Sequence, residues 1–236
     1  MKQSDSMERR RGAGQQPKRS YSAWEWTRGY LALALTLPIY LALWLFAKLC
    51  PRLPEWATKL LLAKHNYWTT NHARDVRIPW TGDVYMHRWW RVPRNWAMNV
   101  YYHIVAKSDE DAALHDHPWW NFSIVLEGGY YEHVIEEGGI NRKTWYGPGS
   151  VRFRPRGSFA HRLELDRIGT HEKSVKTIFV TGPVLRRWGF HHTTGFVDAY
   201  DWDQFCEDND IQSNKMKGYA AQVSKRGDRN GGHSSS

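Results

Sequence analysis

Only two cysteines occur in the 236 residues, Cys50 and Cys206. Two thiols so far apart make no disulfide framework, and the chain is compatible with a reducing compartment. No helix-turn-helix, zinc-finger or RNP-type pattern is present, so the formal charge of +9 has no nucleic-acid motif behind it. No glycine-rich phosphate loop occurs, and Ser123 and Ser150 lack a nucleophile elbow. These absences set aside nucleic-acid binding, nucleotide chemistry and serine-type hydrolysis.

The basic charge gathers partly at the ends. Residues 1–28 hold Lys2, Arg9, Arg10, Arg11, Lys18, Arg19 and Arg28 against Asp5, Glu8 and Glu25. With its Gln, Ser and Gly this stretch reads as a disordered basic tail. Residues 206–236 read as a polar, Gly/Ser-rich tail without periodicity. Basic ends also fit an anionic membrane surface.

Residues 29–47, GYLALALTLPIYLALWLFA, contain no charge and are flanked by Arg28 and Lys48. A bilayer core needs roughly 20 apolar residues as a helix. A membrane helix is expected over 29–48, single-pass, with Trp24, Trp26, Tyr30, Trp44 and Trp56 as interfacial anchors. Pro38 is more tolerable there than in a soluble helix. A signal peptide, a buried core helix and an insertion broken at Pro38 stay open as alternatives. Lys/Arg counts near the two helix ends are close, which leaves the side of the following domain open. Residues 49–79 read as an amphipathic helix and linker, the helix over 54–65.

The rest of the chain, 80–205, is a series of short strands separated by Gly/Pro turns. Strands are expected at 99–106, 130–135, 143–146, 150–154, 159–165 and 175–181. Such spacing indicates an antiparallel sandwich or barrel. Within it lies His115-Asp116-His117, with His161 further on. Alternation along a strand puts His115 and His117 on one face, and a histidine from a neighbouring strand completes a cap on a divalent metal. His103, on the alternating run with Tyr101, is a candidate for the same interior. His133 reads as peripheral, and His191 and His192 as weak ligand candidates. Fourteen tryptophans are present, and adjacent Trp119 and Trp120 must face opposite ways on any strand.

These residues resemble the cupin superfamily. His115, His117 and Gly129 match its first motif, and Gly149, Pro155, Gly157 and His161 its second, with one extra residue before the histidine. The first motif's Glu is absent, its place falling at Asn121 or Phe122. The resemblance implies a mainly β, cupin-type antiparallel jelly-roll barrel, preceded here by the hydrophobic helix and the amphipathic helix. It implies metal ligands His115, His117 and His161. The missing Glu makes the site similar to three-histidine iron sites of thiol dioxygenases such as cysteine dioxygenase. His161-Arg162 is similar to a pair in that family too. Small phage-encoded cupin-like proteins carry a run similar to residues 115–119.

Three neutral imidazoles leave Fe(II) its full double positive charge, whereas a carboxylate ligand would lower it. The function expected is therefore Fe(II)-dependent, dioxygenase-like oxidation of a small molecule, with a thiol as one substrate class. Arg88, Tyr101 and His103 are the candidate catalytic residues, with Arg91 a further candidate for substrate positioning. Partners expected are the small-molecule substrate and a membrane through 29–47. Two other functions stay open: a non-catalytic cupin module that binds a sugar or peptide, and a sugar isomerase or epimerase, which needs a general base.

Overall fold

The computed structural model describes residues 22–80, 83–109, 113–209 and 211. Most of both expected tails falls outside this range. Two helices come first, α1 (Ala23–Leu49) and α2 (Glu55–Asn71). The first begins at Ala23, inside the stretch read as tail, because Ser22 and Glu25 form a reciprocal capping box that starts the helix. The second runs on past His65 to Asn71.

Fourteen strands follow. They are β1 (Val76–Trp80), β2 (Asp83–Trp90), β3 (Asn99–Val105), β4 (Leu114–His115), β5 (Asn121–Glu127), β6 (Tyr130–Ile135) and β7 (Asn141–Tyr146). Next come β8 (Val151–Arg154), β9 (Arg162–Leu165), β10 (Arg167–Ile168), β11 (His171–Glu172), β12 (Val175–Thr181), β13 (Gly189–His192) and β14 (Gly195–Asp198). A short helix, α3 (Trp202–Asp208), closes the described chain. It buries Trp202 and Cys206 against Phe190, so the ordered fold continues into the stretch read as a polar tail.

All strand pairings are antiparallel. One sheet has six strands in the order β1-β2-β3-β12-β5-β8; the others run β7-β6-β9, β14-β13-β4 and β10-β11. Val105, Val125 and Val175 of the large sheet pack with Tyr130 and Leu165 of the β7-β6-β9 sheet, which makes the space between these sheets the inner core.

The outer face of the large sheet is covered as well. Phe122 and Ile124 of β5, Val151 of β8 and Trp120 form a second apolar cluster, on which Leu33, Tyr40, Leu43 and Ala47 of α1 are laid. This explains why β5 is buried at six consecutive positions instead of alternating. Its even-numbered residues face the helices and its odd-numbered ones face the interior. The α1 contact is close at Gly29, where a Cβ would collide with the Val184 carbonyl oxygen. α2 docks through buried His65, whose Nε2 donates to the His103 carbonyl at 3.1 Å. Burial disfavours the charged form of this imidazole and pushes its pKa down.

Candidate metal centre

His115 ends β4, and His161 immediately precedes β9. The two residues lie opposite each other in an antiparallel bridge and exchange both backbone hydrogen bonds, each 2.9 Å. Opposed residues of a bridge carry their side chains on the same side. His117 lies two residues on, and its N–H donates to Gly157 at 2.9 Å. Any Cβ at position 157 would strike the His117 carbonyl, so glycine is needed where this segment closes over the histidine strand.

The outcome is a convergent set. Ring centroids of His115, His117 and His161 are 4.9–5.2 Å apart. One ligand nitrogen from each lies within 4.8 Å of the others, so the three together can hold a metal ion. The Nε2 atoms of His117 and His161 are 2.9 Å apart. Two nitrogens at about 2.1 Å from one ion, set at roughly a right angle, would be separated by about 3 Å. His117 is pushed well below the ordinary histidine range by burial, then by the charge of its histidine neighbours. His161 is pushed down to about 3 by burial and then by the Arg154 guanidinium. Neutral imidazoles are the ligating form.

Carboxylates stand behind the rings. Glu132 of β6 is 2% exposed, and its Oε1 lies 2.7 Å from His161 Nδ1, which leaves Nε2 to face the cluster. The same carboxylate accepts from Arg154 and, at 3.2 Å, from Arg152. Asp109 Oδ2 lies 3.6 Å from His115 Nδ1. It is held in turn by the Tyr85 hydroxyl and by the Leu163 N–H, 2.7 Å away. Such outer partners fix the ring orientation and tautomer of metal-ligating histidines.

Asp116, between the two histidines, points the opposite way and is fully buried. It accepts from Arg186 at 2.6 Å and the Gly189 N–H at 2.9 Å, and pairs with His191 at 3.0 Å. It therefore ties the histidine strand to β13. His191 is engaged there, His192 bonds Thr194, and buried His133 bonds Glu164. None of these three joins the cluster.

The remaining candidates form a second group. Arg88 Nε donates to His103 Nε2 at 2.9 Å, Arg88 lies over the Tyr101 ring at 4.6 Å, and Tyr101 stacks on His103 at 5.4 Å. Burial, then the Arg88 charge, holds buried His103 well below the usual histidine pKa. His103 stacks on Phe179, Phe179 meets Trp119 edge-on, and Trp119 stacks on His117 at 4.5 Å. An aromatic wall thus runs from this group to the three histidines. Trp120, just ahead of β5, faces outward to Tyr40 of α1, 5.5 Å between centroids. Arg91 lies away from the group, stacked on Trp68 at 3.4 Å.

At the place of the absent motif carboxylate, Asn121 faces the interior and accepts from Arg154 at 3.4 Å, while Phe122 faces α1. No carboxylate accompanies the three imidazoles at that position.

No family model and no curated protein matches this sequence. Solved structures do match the fold. The Fe(II) form of HppE is 20% identical over 46% of this chain, with a TM-score of 0.34, and about half of that protein's length, 54%, is spanned. The polyketide cyclase RemF of Streptomyces resistomycificus is 21% identical, with 61% of this chain and 95% of that one covered and a TM-score of 0.38. A Ralstonia eutropha protein of unknown function with a cupin-like fold is 17% identical over 55% of this chain and 77% of its own, with a TM-score of 0.35. The fold is similar to that of cupins. These likenesses are of fold alone, and the three-histidine cluster is an observation separate from them.

Proposed function

We propose that this cupin-like chain is a metal-dependent oxidoreductase that holds Fe(II) on His115, His117 and His161 and oxidises a small molecule with dioxygen, a thiol being the first substrate class to test. The convergence of three imidazoles carries this reading, with Asn121 where a ligand carboxylate would stand. An all-imidazole set leaves the ion's charge uncompensated, which favours an anionic donor such as a thiolate in an open position. Bound Fe(II) would supply the redox chemistry that no side chain here carries.

The chain's own residues then have separate tasks. Glu132 holds His161 in the tautomer that presents Nε2. Trp119 and Phe179 keep water from one side of the cluster. Arg88, steadied by neutral His103 and by the Tyr101 ring, offers a fixed positive charge to an anionic substrate group.

The experiment is metal analysis of the purified full chain, followed by oxygen-uptake assays on iron-loaded protein with a panel of small thiols. The expected result is one iron per chain and uptake that His115→Ala abolishes. A well-folded barrel that takes up no metal, or turnover that persists in His115→Ala, overturns the reading.

We propose also that α1 holds the chain at a membrane. The helix is long and apolar enough to cross one, a property that signal sequences share.

A further inference from the structure

α1 is apolar on all sides, yet only one stripe of it is covered. Positions 29, 33, 36, 40, 43 and 47, spaced alternately four and three apart, lie against the barrel over nearly the whole helix. Tyr40 meets both Trp120 and Phe153 edge-on, and Phe46 tilts onto Phe122. The opposite half is bare: Tyr30, Leu31, Leu35, Leu41, Leu45 and Leu49 are each about half exposed or more. A helix docked along its length cannot also stand upright across a bilayer. Standing up would strip Trp120, Phe122 and Phe153 of their cover.

α2 shows the same division. Thr58, Leu61, Leu62 and His65 face the barrel, while Trp56, Leu60, Ala63 and Tyr67 form an exposed stripe at i, i+4, i+7 and i+11. Lys59 and Lys64 flank that stripe on its two sides. An apolar stripe with an aromatic at each end and lysines on its flanks is the pattern of a helix lying in a membrane interface. Beside Tyr67 opens a hollow of about 380 Å³, lined also by Lys64, Trp68, Arg91 and Tyr102.

We infer that the bare faces of α1 and α2 form one docking surface for an anionic lipid bilayer, with both helices in the plane of the interface and α1 still seated on the barrel. This rests on the proposal that α1 holds the chain at a membrane, and it replaces a single crossing by an in-plane attachment. Charge selects the occupant. Lys48, Arg52 and Lys64 rim the surface, Lys59 being ion-paired to Glu55 at 2.6 Å, and the sequence leading into α1 adds Lys2, Arg9, Arg10, Arg11, Lys18 and Arg19 against Asp5 and Glu8. A second copy docked by two-fold symmetry would set this cationic rim against itself. Anionic headgroups complement it, and the hollow between Lys64 and Arg91 receives a headgroup phosphate.

The test uses the full chain with phosphatidylcholine vesicles, with and without phosphatidylserine, and an epitope tag at each terminus. In-plane docking predicts cosedimentation that phosphatidylserine strengthens. Lys64→Gln lowers affinity for the anionic vesicles about fivefold. Leu60→Asp with Tyr67→Asp, both at exposed positions, abolishes binding while the circular dichroism spectrum is kept. In sealed proteoliposomes the N-terminal tag and the barrel are cleaved together or protected together. If one is cleaved while the other is protected, α1 crosses the bilayer: the in-plane arrangement falls and membrane attachment stands. If binding is unaffected by the α2 pair, the surface is misassigned. If the chain ignores both vesicle types and sediments as a dimer, the occupant is a second copy and both proposals fall.

Discussion

His161 Nδ1 lies 2.7 Å from Glu132 Oε1, and the same carboxylate is gripped by Arg152 and Arg154. One buried acid from β6 thus orients a candidate ligand and neutralises part of the arginine charge beside it. Glu132→Gln keeps the size of the side chain but removes its charge. The expected outcome is metal affinity lower by about 10–100-fold with all three histidines intact. Isothermal titration of the apo chain with Fe(II) or a Co(II) surrogate checks it, and unchanged affinity would sink the role given to Glu132.

Gly157 carries no metal-binding atom, yet its backbone accepts from His117 where no Cβ fits. Gly157→Ala should therefore displace His117 and weaken metal binding, while the inner core of Val105, Val125 and Val175, built from other strands, stays packed. Comparing metal content with near-UV circular dichroism separates the two effects. Full metal occupancy in this variant would contradict the account.

His103 is neutral in the fold because burial, and then Arg88, oppose its protonation. Unfolded, it titrates near the ordinary value of 6.5. Below that pH the unfolded chain binds a proton that the folded chain refuses, so stability falls as the pH is lowered through and beneath 6.5. His65 adds to this with the same sign. Melting temperature of the metal-free chain should drop between pH 7 and pH 5, and less steeply in His103→Asn; equal slopes would contradict the assignment.

Trp120 is 1% exposed beneath α1. Truncating a buried indole costs about 3–5 kcal/mol. Trp120→Ala should lower stability by that amount in urea unfolding and loosen α1 first. Faster hydrogen exchange confined to residues 23–49 and their seat would show this, and uniform protection loss would not.

The histidines were legible because their chemistry depends on local spacing. His115 and His117 share a face through simple alternation, and the glycine and proline pattern before His161 places it near them. The outer partners were not legible in that way. Glu132 reaches His161 from a neighbouring strand, a pairing set by the β6–β9 register and not by any short motif. A weak signal existed: an acid on the same strand parity as buried Tyr130, where an apolar residue is the ordinary choice. Asp116 was visible only as the residue between two candidate ligands, and its bonds to Arg186, Gly189 and His191 arise from a segment far along the chain.

The boundaries at both ends show the same limit. Composition assigned residues 23–28 to a basic tail, although the Ser22 to Glu25 spacing already spelled a helix start. It assigned 206–208 to a polar tail, although Cys206 fills a gap beside Trp202 and Phe190. The apolar run in α1 was plain, but its seat on the large sheet was not. That seat depends on Trp120, Phe122 and Phe153, which meet only once the strands are paired.

Trp119 and Trp120 are neighbours in sequence, one leaning on His117 and the other on Tyr40 of α1. The two environments therefore meet across one peptide bond: the indole that stacks on a candidate metal ligand and the indole that seats α1 share a backbone, so neither can be repositioned along the chain without the other.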